Sequence, residues 1–507
     1  MMNVVTAAAE APKFADLTHH LAPEVLVRKT NPLKDIIRIS WENPHLVSLA
    51  NGDPHHSLYP IRRVEYEVAS AADEDPVSAW RSLGASAPTQ LLTSSRDADS
   101  PRLHQASLAY GHGVGLPDAL RTVTALNNAY HTAPHHVATM TLGNADAITK
   151  VFRMLGSAGD YFLADEFTFG PMPIAAEAHG VKWVPVRIDS GGIIPKELER
   201  ILANWDSRRG KRPHVLYAVP CGQNPTGSTL SLERRKRIYE ISQKYDLIIV
   251  EDDPYYFLQY DPPSTEAHST QTQKPFPVSF LSLDVDGRVI RIDSFSKIMA
   301  PGLRLGWITS QPAFQQHLVR FIDLSSQQPS GFPQALVSLL LDGWGLAGFD
   351  RWVRSLRLDY QRRRDFLLGL FQREVAPGGL ASVDVPEAGM FLWVRVHLEK
   401  HPRFTRKAEE VVEGGRTNAR ELMQELFEAC IRGGLLIVPA TVFVLPTETG
   451  YEEEGSVHID DRSNFLRATF AGSEETMAAG MPILGKVLKE FFADPSTARI
   501  DATSTVA

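Results

Sequence analysis

The chain has 507 residues, 43% of them hydrophobic and 22% charged, with a formal net charge of −8. This is ordinary globular composition, and the length exceeds what one simple core fills, so a large and a smaller domain are expected. The acidic balance argues against general nucleic-acid binding, and the absence of an apolar run of about 18 residues argues against a membrane span. Two cysteines, Cys221 and Cys430, make no disulfide framework, so a reducing, cytoplasmic setting is the default expectation. Met1–Pro12 lacks the basic start of a signal peptide.

Residues 69–103, 261–277 and 446–462 are rich in small, polar or acidic residues. Such stretches bury little apolar surface and read as surface insertions. From about residue 138 to 310, strands and helices alternate. Val137–Leu142 reads as a strand, followed by a helix over Ala145–Leu155 whose Ala147, Ile148, Val151, Phe152 and Leu155 share one face. Tyr161–Ala164 and His214–Pro220 read as strands, Ser231 caps a helix running to about Tyr245, and Leu247–Glu251 and Val289–Asp293 are two more strands. These runs lack period-two alternation, which suits an α/β fold with a mostly parallel sheet covered by helices. A long helix over Trp352–Phe371 and a short strand over Met390–Val396 predict a smaller α+β domain, and Ala502–Ala507 reads as a disordered tail.

The chemistry-bearing residues cluster where these strands end. Gly143-Asn144-Ala145-Asp146 opens a helix, whose first amides make an anion cradle, unless Asn144 is simply the helix cap. Asp165–Gly170 carries Phe167 and Phe169 just past a strand. Pro220–Gly227 contains the turn dipeptides Asn224-Pro225 and Thr226-Gly227. Glu251–Tyr256 offers two aspartate–tyrosine pairs three residues apart, Asp252 with Tyr255 and Asp253 with Tyr256, and spacing alone does not choose between them. Ser294-Phe295-Ser296-Lys297 and Arg304 bring together a lysine amine able to form a Schiff base with an aldehyde, and hydroxyl and guanidinium groups able to hold a phosphate. Arg467 in Asn464–Phe470 supplies a fork that fits a carboxylate in two parallel hydrogen bonds.

Taken together, from about residue 45 to 475, these strings resemble the class I/II, fold-type-I, pyridoxal-phosphate-dependent aminotransferases. Ser48–Pro54, Glu251–Tyr260 and Glu387–Trp393 are most similar to fungal aromatic aminotransferases and kynurenine/2-aminoadipate aminotransferases. The resemblance implies Lys297 as the lysine bonded to pyridoxal 5′-phosphate and Asp252 as partner of its ring nitrogen. It implies Asn224 as a donor to the phenolic oxygen, Tyr255 as a catalytic and cofactor-binding residue, Phe169 stacked on the ring, and Asn144, Ala145, Ser294, Ser296 and Arg304 around the phosphate. Tyr110 would reach the phosphate of a neighbouring subunit, which implies a homodimer with shared sites. Arg467 would bind the substrate α-carboxylate, with Asn51, Gly52, Asn224 and Phe391 lining the substrate site. The sequence departs from the family pattern at Asn144, at Asn51 (usually glycine), and at Phe167 and Phe169 (commonly proline and tyrosine).

The implied reaction moves an amino group from an aromatic amino acid, kynurenine or 2-aminoadipate to a 2-oxo acid such as 2-oxoglutarate. The implied layout is an N-terminal arm (1–44), the start of the small domain with a substrate loop (45–68), the insertion at 69–103, a large cofactor-binding domain (104–345), a C-terminal small domain (346–490) and the tail (491–507). A lyase on the same fold is the alternative. A DNA-binding regulator with an aminotransferase-like domain needs a basic domain upstream of Leu49, for which the preceding segment is too short.

Overall fold

In the computed structural model, residues 14–43, 45–50, 52–98, 102–263, 273–406, 417–445, 448 and 458–493 are described. The central sheet is built from short apolar runs: β1 (Val137–Thr141), β2 (Tyr161–Asp165), β3 (Lys182–Val186), β4 (Val215–Ala218), β5 (Ile248–Asp252), β6 (Val289–Ser294) and β7 (Gly306–Ser310). Their spatial order is β1-β7-β6-β5-β4-β2-β3. β7 runs antiparallel to both neighbours, and every other pairing is parallel. β2, β4, β5, β6 and β7 are buried along their whole length. A strand covered on both faces has no reason to alternate polar and apolar residues.

The helix after β1, α1 (Asn144–Leu155), shows how sequence becomes packing. Ala147, Ile148, Val151, Phe152 and Leu155 are each at most 1% exposed, so the predicted stripe is the buried face. Phe152 meets Phe162, Trp183 and Tyr217 edge-on at centroid distances of 5.4–5.7 Å, the geometry aromatic rings prefer. The helix stops at Gly156, whose added Cβ would lie 2.6 Å from Val181.

Ser231 caps α2 (Leu232–Tyr245) as predicted, accepting from the amide of Arg234. The expected helix over Trp352–Phe371 is longer, because α3 spans Gly331–Glu374 and joins two helices across Gly345, which has φ +62°. Only glycine adopts such a backbone cheaply, and its helical neighbours hide the break from a periodicity reading. Beyond α3 lies a four-stranded antiparallel sheet in the order β8 (Ala381–Val383), β9 (Phe391–Val396), β11 (Phe465–Thr469), β10 (Val438–Pro439).

The stretch 69–103, expected to be a surface insertion that buries little apolar surface, carries regular structure and a few buried apolar residues over its described part. Thr89–Ser95 pairs antiparallel with Arg63–Ala69, and Pro76–Leu83 forms a helix. Ala71, Pro76, Val77, Ala87 and Leu92 are buried, and the amide of Val77 donates to Ser355 Oγ on α3 at 2.9 Å. A few apolar residues suffice there because a long helix already offers the opposing surface. Much of 261–277 and 446–462, and most of the tail, lie outside the described residues.

Candidate active site

Because β1 runs parallel to β6, the C-terminal ends of β1, β2, β4, β5 and β6 open on one edge of the sheet. In open α/β sheets that edge is where ligands bind. Every strand-end motif falls there: Asn144 after β1, Phe169 after β2, Asn224 after β4, Asp252 closing β5, Ser294 closing β6 and Lys297 in the turn that follows.

Lys297 is half-buried, and among the described residues its amine has no hydrogen-bond or ion-pair partner. Burial first, and the positive charge of Arg304 second, lower its pKa. Both favour the neutral amine, the form that attacks a carbonyl or takes a proton. Ser294 and Ser296 share a hydrogen bond of 2.8 Å, and the amide of Ser296 donates to Ser294 Oγ at 3.0 Å.

Arg304 bridges two turns. Its guanidinium donates to the carbonyls of Pro301 and Leu142, each at 3.0 Å. That fixes it over Gly143, where an added Cβ would lie 2.7 Å from Arg304 Nη2. Gly306 is equally constrained: its Cβ would stand 2.5 Å from the carbonyl oxygen of Asp293. The cap position of α1 is Gly143, which offers no side-chain cap, so Asn144 is the first helical residue and not the cap. The leading amides of α1 are left free to meet an anion, as at any helix start.

The side chain of Asn144 turns away from that cradle. Its Nδ2 donates to Asp252 Oδ1 at 2.5 Å, while its own Oδ1 is buried without a partner. The other carboxylate oxygen, Asp252 Oδ2, accepts from Tyr217 Oη at 2.7 Å. Burial pushes Asp252 up to about 6, opposed by these two hydrogen bonds. Asp253 points elsewhere. It accepts from Arg291 at 3.2 Å, and Arg291 also pairs with Glu251 at 3.1 Å and Asp293 at 2.7 Å, all of them buried. Cys221 Sγ approaches Asp253 at 3.4 Å. Of the two aspartates that spacing left open, the structure thus places Asp252 against Asn144 and Tyr217 and Asp253 inside an ion cluster.

Arg467 on β11 donates to Asn224 Oδ1 at 2.7 Å, and its Nε is buried without a partner. Its guanidinium lies 4.4 Å from the ring centre of Phe391 and 4.9 Å from that of Phe443. Tyr255 is buried, with its ring edge-on to Phe391 at 6.0 Å. Asn224, Tyr255, Phe391 and Arg467 therefore form one wall, drawn from both sheets. Phe169 is 36% exposed and has no aromatic partner among the described residues.

Other expected site residues lie apart in a single chain. Tyr110 is 63% exposed, and its amide donates to Asp53 Oδ2 at 3.2 Å. Gly52 is exposed, with nothing within 4 Å of an added Cβ. Asn51 lies outside the described residues. Tyr217 and Phe443 join the site without any motif to announce them. The only signal for Tyr217 is a lone hydroxyl in an otherwise apolar strand.

The residues fit the cofactor that the resemblance implies. An amine with no partner suits its aldehyde, free helix-start amides beside Arg304 suit its phosphate, and a buried carboxylate suits its basic ring nitrogen.

The family model for aminotransferase class I and II matches residues 83–481. An L-tyrosine:2-oxoglutarate aminotransferase of Tapinella panuoides is 45% identical over 95% of this chain and 97% of its own length. A kynurenine/alpha-aminoadipate aminotransferase of Rattus norvegicus is 31% identical over 93% of this chain and 97% of its own. The crystal structure of aminotransferase Aro8 from Candida albicans superposes with a TM-score of 0.82 at 32% identity, covering 95% of this chain and 100% of that one.

Proposed function

The chain belongs to the class I and II aminotransferases, and on that premise we propose that it moves the amino group of an aromatic amino acid, tyrosine first, to 2-oxoglutarate. The observation that carries the reading is that Lys297 and Asp252 lie at one edge of the central sheet, while Arg467 from the smaller sheet reaches Asn224 at that edge and stands against the aromatic wall of Phe391, Phe443 and Tyr255. The tyrosine-specific names of full-length relatives support the donor.

Pyridoxal 5′-phosphate, when bound, supplies an aldehyde that exchanges amino groups and a ring that draws electrons from the substrate α-carbon. The chain does the rest. Lys297 Nζ would hold the cofactor through its aldehyde and, once freed by an incoming amino acid, would take the α-proton as general base and deliver it as general acid. Asp252 would meet the ring nitrogen with negative charge, Asn224 would donate to the phenolic oxygen with Tyr255 beside it in the site, and Phe169 would cover the ring. The amides of Asn144 and Ala145, with Ser294, Ser296 and Arg304, hold the phosphate. Arg467 grips the α-carboxylate common to donors and acceptors, so one arginine serves both half-reactions.

The working unit is a homodimer in the cytoplasm. Leu33, Ile36 and Ile39 project from the helix Pro32–Glu42 at 67%, 51% and 52% exposure, and Val47 and Leu49 are almost fully exposed. Such a patch is characteristic of an interface. In the dimer, Tyr110 reaches the partner's phosphate site, and Gly52 belongs to the substrate site. No helix among the described residues is long and apolar enough to cross a membrane.

A panel of amino donors against 2-oxo acids, read by product chromatography, tests the proposal. Oxo acid formation from tyrosine, phenylalanine or tryptophan with 2-oxoglutarate is expected. A preference for kynurenine or 2-aminoadipate would move the donor within the same mechanism. Many turnovers of product formation without any acceptor, beyond the single equivalent of one half-reaction, would mark a lyase instead.

A further inference from the structure

Asp252 is held from two sides by groups that the reaction itself does not use. Asn144 reaches Oδ1 from the start of α1, and Tyr217 reaches Oδ2 from the middle of β4. Tyr217 is 0% exposed, so its hydroxyl is shut off from bulk solvent. Phe152 and Trp183 pack edge-on against its ring at 5.5 and 6.5 Å and leave it little freedom to turn. The two donors come from different elements and bind different oxygens, which fixes the carboxylate plane as well as its position.

We propose that Tyr217 is a positioning residue for the ring-nitrogen carboxylate, working with Asn144 to hold Asp252 oriented and ionised against the bound cofactor. The proposal rests on the role given to Asp252 above. A hydrogen bond to the charged form favours that form. Without the Tyr217 hydroxyl, the buried carboxylate loses one of the two donors that oppose its burial, and the proton shared with the ring nitrogen moves towards Asp252. A neutral ring withdraws electrons poorly, so the α-proton is harder to remove.

The surroundings allow this role. The ionisable groups around Asp252 are Tyr217 from β4, Asp253 next to it, Arg291 from β6 and Tyr255 from the following turn. Asp165 at the end of β2 faces Tyr217. Asp165 is buried with Oδ2 unpartnered, and burial pushes it up to about 8. It is therefore mostly protonated near neutrality and adds little negative charge beside Tyr217. Asp253 is compensated by Arg291. Tyr217 and Asn144 are thus the donors to Asp252, and the nearby charges do not duplicate them.

The test uses the holoenzyme with cofactor labelled with ¹⁵N at the ring nitrogen. Tyr217→Phe removes one oxygen and keeps the aromatic packing. The expected results are cofactor still attached to Lys297, a ring-nitrogen resonance shifted towards the unprotonated form, and a kcat lowered by about 10- to 100-fold, the scale of a charged hydrogen bond, with KM for the amino acid little changed. Asn144→Ala, acting on the other oxygen, should shift the resonance the same way. It also decides the matter if Tyr217→Phe does not fold. Tyr239→Phe, which removes another buried hydroxyl–carboxylate contact far from the site, should leave the resonance unchanged. A wild-type resonance in the variants at Tyr217 and Asn144 overturns the proposal. If Asp252→Ala also leaves the resonance unchanged, the reading of Asp252 itself fails, and the two failures are told apart.

Discussion

At the scale of single residues, the assignments differ in what they predict. Lys297→Ala should bind the cofactor without a covalent bond and lose about 10²–10⁴-fold or more in turnover, as expected for a missing general base. Borohydride reduction and peptide mass mapping check the attachment point, and an adduct on any other lysine refutes it. Asp252 and Asp253 should separate cleanly. Asp252→Ala should cut kcat strongly and leave folding nearly intact. Asp253→Asn weakens one contact of Arg291, which keeps Glu251 and Asp293, so it should cost roughly 1–3 kcal/mol of stability in a denaturant titration and leave the bound cofactor spectrum alone.

Arg467→Lys tests geometry apart from charge. Lysine keeps the positive charge but not the two parallel donors. It also abandons the contact with Asn224 and the stacking on Phe391 and Phe443. Single-turnover rates for both half-reactions should fall together, with cofactor affinity unchanged, because Arg304 and not Arg467 stands by the helix start. Weaker cofactor binding with normal half-reactions would reverse that assignment.

At the scale of elements, the strand ends concentrate charge that the strands cannot solvate. Asp165 closes β2 entirely buried, and burial raises its pKa to about 8. An unfolded aspartate titrates near 3.9. Between about pH 4 and 8 the unfolded chain therefore releases this proton before the folded one does, so this group makes stability fall as pH rises through that window. Asp165→Asn should remove that contribution, leaving a flatter pH profile of the unfolding midpoint and a higher midpoint at pH 8. An unchanged profile would mean that Asp165 finds a partner for its charge. The β5–β6 pair solves the same problem differently, with Arg291 set among Glu251, Asp253 and Asp293. Breaking a buried ion cluster is costly because it strands a charge.

At the scale of the whole molecule, the apolar surface of Leu33, Ile36 and Ile39 is the feature one protomer cannot satisfy. Ile36→Asp combined with Ile39→Asp should shift the protein towards monomer in sedimentation velocity. Activity per protomer should fall with the dimer fraction, because Tyr110 and the loop around Gly52 reach a site only across subunits in the proposed arrangement. A fully active monomer would show that each chain completes its own site.

Much was legible from local pattern alone. The apolar runs place five of the seven strands of the central sheet within one or two residues of where they lie, because a strand buried on both faces needs only apolar side chains over a short span, whereas β3 and β7 were not expected from the sequence. The stripe of α1 and the Ser231 cap of α2 are equally local, since i, i+4 spacing and a cap hydrogen bond involve only neighbours in the chain. The motifs of the site were visible for a related reason: turns and helix starts demand particular residues at particular places. The tertiary structure decided what depends on neighbours distant in sequence. It separated Asp252 from Asp253, which share one spacing but point to different partners. It aimed the Asn144 side chain at Asp252 while leaving the helix-start amides open, brought the hydroxyl of Tyr217 from the middle of β4 to the same carboxylate, and brought Arg467 to Asn224 across 243 positions. It also packed the helix Pro76–Leu83 of the expected insertion against α3. Side-chain direction and long-range pairing follow from how layers pack, and no window of sequence contains that information.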